Sequence, residues 1–281
     1  MNDGLGERMK QYESAEAGRR LMPLLPAIAR LDGRAFHSFV RGLERPFDRR
    51  LSDLMIETTA FLVRETNAVV GYTQSDEISL AWLPEEYEAQ IFFDGRVLKM
   101  TSMLAALCAA HFNRLLPAHL PAAYADRLPV FDCRVWNVPT VEEAANTFLW
   151  RELDATKNSI SMAARVHYEH AELHDKSGSV MQEMLFRKGV NWNDYPAFFK
   201  RGTYVRRRKV SRPFTASEHE ALPEKHAARA NPALVVERME CGPIELPPLT
   251  TVQNRAGVLF RGEEPRPKPP DPLPANTSDA G

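Results

Sequence analysis

The sequence predicts an α+β fold: a ferredoxin-like βαββαβ unit, then additional helices and a Pro-rich C-terminal extension. Three observations predict it. Up to about residue 139, short apolar runs and amphipathic stretches alternate in the order strand, helix, strand, strand, helix, strand. The middle two strands are joined by a few turn residues, "TQSDE", and so form a hairpin. Finally, 12 of the 21 prolines fall in the last 69 residues, where missing backbone donors and a fixed φ oppose regular structure.

The elements follow in order. Ala27–Leu31 reads as a first strand that ends at Asp32. "FDRRLSDLMIETTAFLVRETN" places Leu51, Leu54, Met55, Thr58, Phe61 and Leu62 on one helical face, with Asp48 as the acid at its start. Val69–Thr73 and Ile78–Trp82 are the hairpin strands. "VLKMTSMLAALCAAHFNRLL" repeats Met100, Leu104, Cys108 and Phe112 every fourth residue, and Pro117 is expected to stop it. "VFDCRVWNVP" alternates as a strand. Two further helices open at capping boxes, Thr140 with Glu143 and Ser179 with Gln182, and Gly189 ends the second. The expected domains are 1–139 for the αβ unit, 140–212 for its helical continuation with a basic segment, 213–262 for a loosely structured extension, and 263–281 for a disordered tail.

Composition narrows the class. The chain of 281 residues is 44% hydrophobic and 26% charged, with a net charge of −1, so any nucleic-acid contact needs a local basic patch. Three cysteines without CxxC spacing exclude a cysteine zinc cluster and a disulfide framework. No apolar run reaches the ~20 residues that span a bilayer, and the N-terminus lacks a signal-peptide pattern. The expected compartment is the cytoplasm, without membrane contact.

In a ferredoxin-like sheet the first and third strands are antiparallel neighbours. Asp32, ending one, and Asp76, in the bend that begins the other, therefore arrive at one edge. Gly33, without a side chain, lets a backbone carbonyl approach a ligand. Two neighbouring carboxylates repel unless a cation or proton intervenes, and oxygen donors completed by substrate phosphates suit magnesium. Arg96 and Lys99, three apart at the start of the second long helix, oppose its dipole and so suggest a nearby anion; Arg34 and Arg45 add to the cations. Singly, each feature has a plainer reading. Asp32 is a turn former, Asp76 and Glu77 a solvated hairpin tip, Arg96 and Lys99 a solvated face, His37 a packed or surface histidine. Only the combination points to metal-dependent phosphate chemistry. "KRGTYVRRRKVSR" carries seven basic residues and no acid, a candidate RNA-backbone contact through Lys200, Arg201, Arg206, Arg207 and Arg208. Trp136, Trp150 and Trp192 read as core.

The blocks "RLDGRAFHSF", "ERPFD", "YTQSDEISL", "FDCRVWNVP", "WRELDATKNS" and "EMLFRKGVNWNDYP" occur in one collinear order between about residues 25 and 206. In that order the chain resembles the tRNA-His guanylyltransferase family (Thg1) and its Thg1-like protein branch. The resemblance implies a polymerase-type palm with two Mg2+ ions, adding nucleotides to the 5′ end of tRNA in the 3′ to 5′ direction after activation by ATP or GTP. It implies Asp32, Gly33 and Asp76 as metal ligands, Glu77 as a neighbouring catalytic acid, and Asp32, Gly33, Arg34, Ala35, Phe36, His37, Arg45, Ser75 and Asp76 around the nucleotide. It places Arg96, Lys99, Arg134 and Asn158 near triphosphate or the RNA 5′ end, and implies a homotetramer. Dedicated tRNA-His enzymes carry His-Ile-Asn-Asn where this chain has Thr156 to Ser159, and Lys-Asn where it has Met181 and Gln182; both departures favour templated 5′-end repair. The rivals are a dedicated tRNA-His guanylyltransferase, a nucleotidyl cyclase-like palm enzyme, and a non-catalytic RNA-binding scaffold.

Overall fold

The computed structural model of the chain describes residues 4–87 and 89–269. In chain order its elements are α1 (Gly4–Ala17), β1 (Ala27–Gly33), the single turn α2 (Phe36–Phe39), α3 (Arg49–Thr66), β2 (Val70–Gln74), β3 (Glu77–Trp82), α4 (Val97–His119) and β4 (Phe131–Asn137). There follow α5 (Val141–Ala164), α6 (His170–Leu173), α7 (Gly178–Arg187), α8 (Ala197–Arg201), β5 (Thr203–Pro213), α9 (Ala216–Glu220), α10 (Ala227–Ala230) and β6 (Val235–Ile244). The strands form one antiparallel sheet in the order β4-β1-β3-β2-β5-β6. No described helix is long and apolar enough to cross a membrane.

Strand alternation decides which helix covers which face. Ala27, Ala29 and Leu31 of β1 and Ile78, Leu80 and Trp82 of β3 point to one side, where Leu54, Met55 and Leu62 of α3 and Met100, Leu104, Cys108 and Phe112 of α4 close over them. Gly71 lets α3 come close: a Cβ there would lie 2.7 Å from methyl carbons of Thr59 and Val63. Ile28, Tyr72, Ala81 and Tyr204 face the other side and meet Ala144, Ala145 and Phe148 of α5. The second half of α5 outruns the sheet and packs through Ala163 and Ala164 on Leu173, Leu185 and Phe199.

The helix starts follow their caps. Asp48 accepts from Arg50 N at 3.0 Å and Thr140 from Glu143 N at 3.1 Å. The cap of α7 is Ser177, accepting from Val180 N, two residues before the expected Ser179. α4 continues past Pro117 to His119, and α1 carried no amphipathic signal.

The extension is the larger correction. Residues expected to be loose form β6, paired along its length with β5, and the segment after it returns beneath α5. Proline does not prevent this, because β6 is an edge strand, and Pro243 opposite Val205 needs no donor on its outer side. Leu249, Leu259 and Phe260 complete the α5 face. The expected disordered tail is also ordered in its first part: Gln253 N donates to Arg266 O and Lys268 N to Thr251 O. Residues 270–281 lie outside the described residues.

Glu152 of α5 is the polar joint of this face. It is 3% exposed; one oxygen accepts from Tyr204 Oη (2.9 Å) and the other from Leu249 N (2.8 Å). Burial pushes its carboxyl above the usual range, and those two donors pull it back. Glu152→Ala leaves two buried donors unpaired, so urea unfolding is expected to show about 2–4 kcal/mol lower stability. Farther out, Arg212 bridges Glu218 and Glu240, and its guanidinium holds the Glu218 carboxyl down to about 2. A depressed carboxyl stabilises above its unfolded value and loses that contribution on acidification. Protection factors of the amides in the outer β5–β6 ribbon, corrected for intrinsic exchange, are therefore expected to fall as pH drops from about 4.5 toward 2, and Glu218→Gln to remove that dependence.

Candidate active site

The antiparallel pairing of β1 and β3 sets Asp32 opposite Glu77, and Gly33 N donates to Asp76 O at 3.1 Å. One backbone bond thus ties the end of β1 to the hairpin bend. Ser75, with φ 54°, makes the bend sharp and donates its hydroxyl to Asp76 Oδ1 at 3.0 Å. Asp32 and Asp76 line one cleft of about 390 Å³ with Gln74, Ser75 and Glu77, closed on its other side by α5. Burial pushes the Asp76 carboxyl up; the Ser75 hydroxyl offsets part of this, and the Asp32 charge adds to it.

Glu77 is committed to protein. Arg151 Nε donates to its Oε1 (2.6 Å) and Nη2 to its Oε2 (2.8 Å), a two-pronged charge-assisted pair. Burial raises the Glu77 carboxyl while Arg151 opposes the rise. Arg30 Nε lies 3.9 Å from the same Oε2. Glu77 therefore braces the sheet against α5.

The α5 wall was missed in the sequence apart from Asn158. Arg151, Asp154, Asn158, Ser161 and Arg165 line the cleft. Their spacing of three and four residues is one polar face of a helix, a signal that was present to be read. Arg151 also reaches Asp154 (3.0 Å), and Asn158 Nδ2 donates to Asp154 Oδ2 (3.1 Å). Arg165 is exposed and, of the two lining arginines, is the one without an ion pair among the described residues. Asp132 of β4 is a further acid in register with Asp32.

Other expected residues fall elsewhere. Phe36 is a core ring, 4% exposed, packed on Phe39, Phe112 and Phe131. Its ring fills the space where a Gly33 Cβ would stand, which is a packing reason for that glycine. Arg34, Ala35, His37 and Arg45 are exposed between β1 and α3, His37 within the turn α2, outside the cleft lining. Arg96 and Lys99 lie at the other end of the sheet. Gly95 O accepts from Leu21 N, upstream of β1, while the Ala27–Trp82 pair and the Asp32–Glu77 pair are separated by about 17 Å of strand. The topology requires this, because α4 begins where β3 ends, away from the bend. Their cations rest instead on Phe93: Arg96 Nε on its carbonyl (3.4 Å) and Lys99 Nζ over its ring (5.1 Å). Arg134 stands exposed on β4, 3.7 Å from Asp132.

The basic run begins at the end of α8 and continues from Thr203 as β5, whose side chains alternate between faces. Lys200 donates to Asn193 O (2.5 Å), Arg206 to Val258 O (2.8 Å) and Arg207 to Asn67 Oδ1 (2.5 Å). Arg201 is half-buried, and Arg208, though exposed, is opposite Glu240. These residues form no single phosphate track. Trp136 and Trp192 are half-buried, but Trp150 is 50% exposed, against the expectation of core. A larger groove of about 650 Å³ on α7, lined by Phe186 and Trp192, holds no paired acids.

The chain is similar to known proteins of one family. A family model described as tRNAHis guanylyltransferase matches residues 6–139. The structure is similar to a bacterial tRNA(His) guanylyltransferase (Thg1)-like protein in complex with ATP, at 37% identity and a TM-score of 0.67, covering 72% of this chain and 88% of that one. It is similar also to a bacterial Thg1-like protein in complex with GTP, at 30% identity and a TM-score of 0.67, covering 88% and 94%. The tRNA(His) guanylyltransferase of Neurospora crassa is 27% identical over 252 residues, 80% of each chain. The cleft thus lies in a chain that belongs to the tRNA(His) guanylyltransferase (Thg1) family of nucleotidyltransferases.

Proposed function

We propose that this chain adds nucleotides to the 5′ end of tRNA in the 3′ to 5′ direction, as a templated 5′-end repair enzyme. The observation that carries the reading is the joining of Asp32 and Asp76, from separate segments, in one cleft at a sheet edge. The strand order β4-β1-β3-β2, with α3 and α4 on one face, supports a ferredoxin-like, polymerase-type palm. In this reading a cytoplasmic homotetramer acts on tRNA, carried by the resemblance.

The donor set fits magnesium. Among the described residues no three His, Cys, Asp or Glu side chains form a ready-made ligand cluster. Magnesium ordinarily takes only one or two carboxylates and completes its shell with water and substrate phosphates. Asp32, the Gly33 carbonyl and Asp76 would hold it, and the raised Asp76 carboxyl is a group that a cation would relieve. Two such ions, when bound, supply acidification of the attacking oxygen and neutralisation of the triphosphate.

The chemistry is two phosphoryl transfers. In the first, a 5′-phosphate oxygen of the RNA attacks the α-phosphorus of ATP or GTP, and pyrophosphate leaves. In the second, the 3′-hydroxyl of the incoming nucleoside triphosphate attacks the activated 5′ phosphorus, and the activating nucleoside monophosphate leaves. Ser75 holds the Asp76 carboxylate in orientation, Glu77 and Arg151 fix the distance between sheet and α5, and Arg165 offers its free guanidinium to phosphate oxygens. Where dedicated enzymes carry His-Ile-Asn-Asn, the first and last positions of this chain, Thr156 and Ser159, serve packing. Thr156 Oγ1 donates to Glu152 O, and buried Ser159 accepts from Trp192 Nε1 at 3.1 Å. That use of Ser159 favours the repair reading over obligatory guanosine addition.

Labelled 5′-truncated tRNAs with magnesium and each nucleotide in turn are expected to gain the nucleotide that pairs with the template. Cyclic nucleotide formed without RNA, or no extension at all, would sink the proposal. Asp76→Asn is expected to abolish both transfers while thermal unfolding stays at the wild-type midpoint, since the side chain bonds only to neighbouring Ser75 within the bend. Arg165→Ala is expected to raise KM for the nucleoside triphosphate about tenfold with kcat little changed, the loss of one charge-assisted phosphate contact.

A further inference from the structure

Trp150 stands apart from the other tryptophans. It sits on α5 one residue before Arg151 and keeps half of its surface in solvent. A half-open indole keeps apolar ring surface available to another planar group. Its neighbours are cationic. Arg151 lies 4.5 Å and Arg30 5.5 Å from the indole centroid. Both guanidiniums converge on Glu77 Oε2. Arg30 Nε is buried with no hydrogen-bond partner, so its orientation is set by the ring and the carboxylate together.

The ring's place in the sheet says what could use it. Arg30 is two residues before Asp32 on the same face of β1, about 7 Å away at the usual strand rise. Arg134 of the edge strand β4 is in register with Arg30, exposed and on that face. The acids nearby are Asp132 beside Arg134, and Asp154 and Glu77, both paired with Arg151. Arg165, the free cation proposed for the triphosphate, is fifteen residues beyond Trp150 at the C-terminal end of α5, about 22 Å of helix. Trp150 is therefore far along α5 from that phosphate site, one residue before the cleft-lining Arg151 and with arginines around it.

We propose that the open face of Trp150 is a stacking platform for the nucleobase at the 5′ end of the RNA, flanked by Arg134 for the adjoining phosphate. Arg30 and Arg151 both lie against the indole, so stacking requires little ordering of the protein. Base–aromatic stacking is sequence-tolerant, as an enzyme that takes its instructions from a template requires. The proposal rests on the RNA-extending reading above, and its test separates the two.

The full-length protein would be titrated with a fluorescent, 5′-monophosphorylated RNA hairpin in magnesium without nucleotide, read by anisotropy. Trp150→Ala is expected to weaken binding about tenfold, with Trp150→Phe recovering most of it, while KM for the nucleoside triphosphate stays at the wild-type value. Unchanged RNA affinity in a folded Trp150→Ala that extends RNA normally would overturn the platform and leave the enzymatic reading standing. A loss confined to KM for the triphosphate would assign the ring to the other substrate, and a shift in sedimentation would assign it to contact between copies; either overturns the proposal. A wild-type chain that neither binds nor extends RNA would overturn both readings.

Discussion

The pairing of β1 with β3 is the constraint from which the site follows. Strands 44 residues apart in sequence, counted from Asp32 to Asp76, become neighbours only when the whole α3 segment and β2 have folded between them. Register is then fixed by burial. A slip of one residue would turn Ala27, Ala29 and Leu31 out of the α3–α4 core and carry Asp32 into it. The cost of burying that carboxylate and exposing those side chains holds the acid at the edge. The chemistry inherits its precision from apolar packing on the opposite face.

α5 supplies the second half of the arrangement with three consecutive residues that do different work. Trp150 faces solvent, Arg151 grips Glu77, and Glu152 is buried against Tyr204 and Leu249. A helix turns through about 100° per residue, so neighbours in sequence face different surroundings. The two charged side chains fasten the helix to the sheet at one level, which leaves the cleft wall from Asp154 to Arg165 in a fixed relation to Asp32 and Asp76. Buried polar joints of this kind specify position more than they add stability.

The strands and long helices were legible because period-2 and period-3.6 patterns report burial directly, as at Leu54, Met55 and Leu62. The meeting of Asp32 with Asp76 was legible because topology alone dictates it. Arg96 and Lys99 went astray from the same source: a local clue, cations at a helix start, was followed without asking at which end of the sheet that helix begins. The C-terminal ribbon was hidden because proline frequency reports interior strands and helices and says little about an edge strand such as β6. The partners of Arg206 and Arg207 lie 52 and 140 residues away, so no window along the chain could have shown that the basic run is already occupied.

The return of Leu249, Leu259 and Phe260 beneath α5 has a consequence for biosynthesis. A ribosome makes every residue of the cleft before it makes the segment that seals the helix above it. Glu152 meanwhile waits with one oxygen unanswered until Leu249 emerges from the exit tunnel. A nascent chain stalled before that point would hold the acids and lack the brace, so competence arrives only after Leu249 to Phe260 have been made.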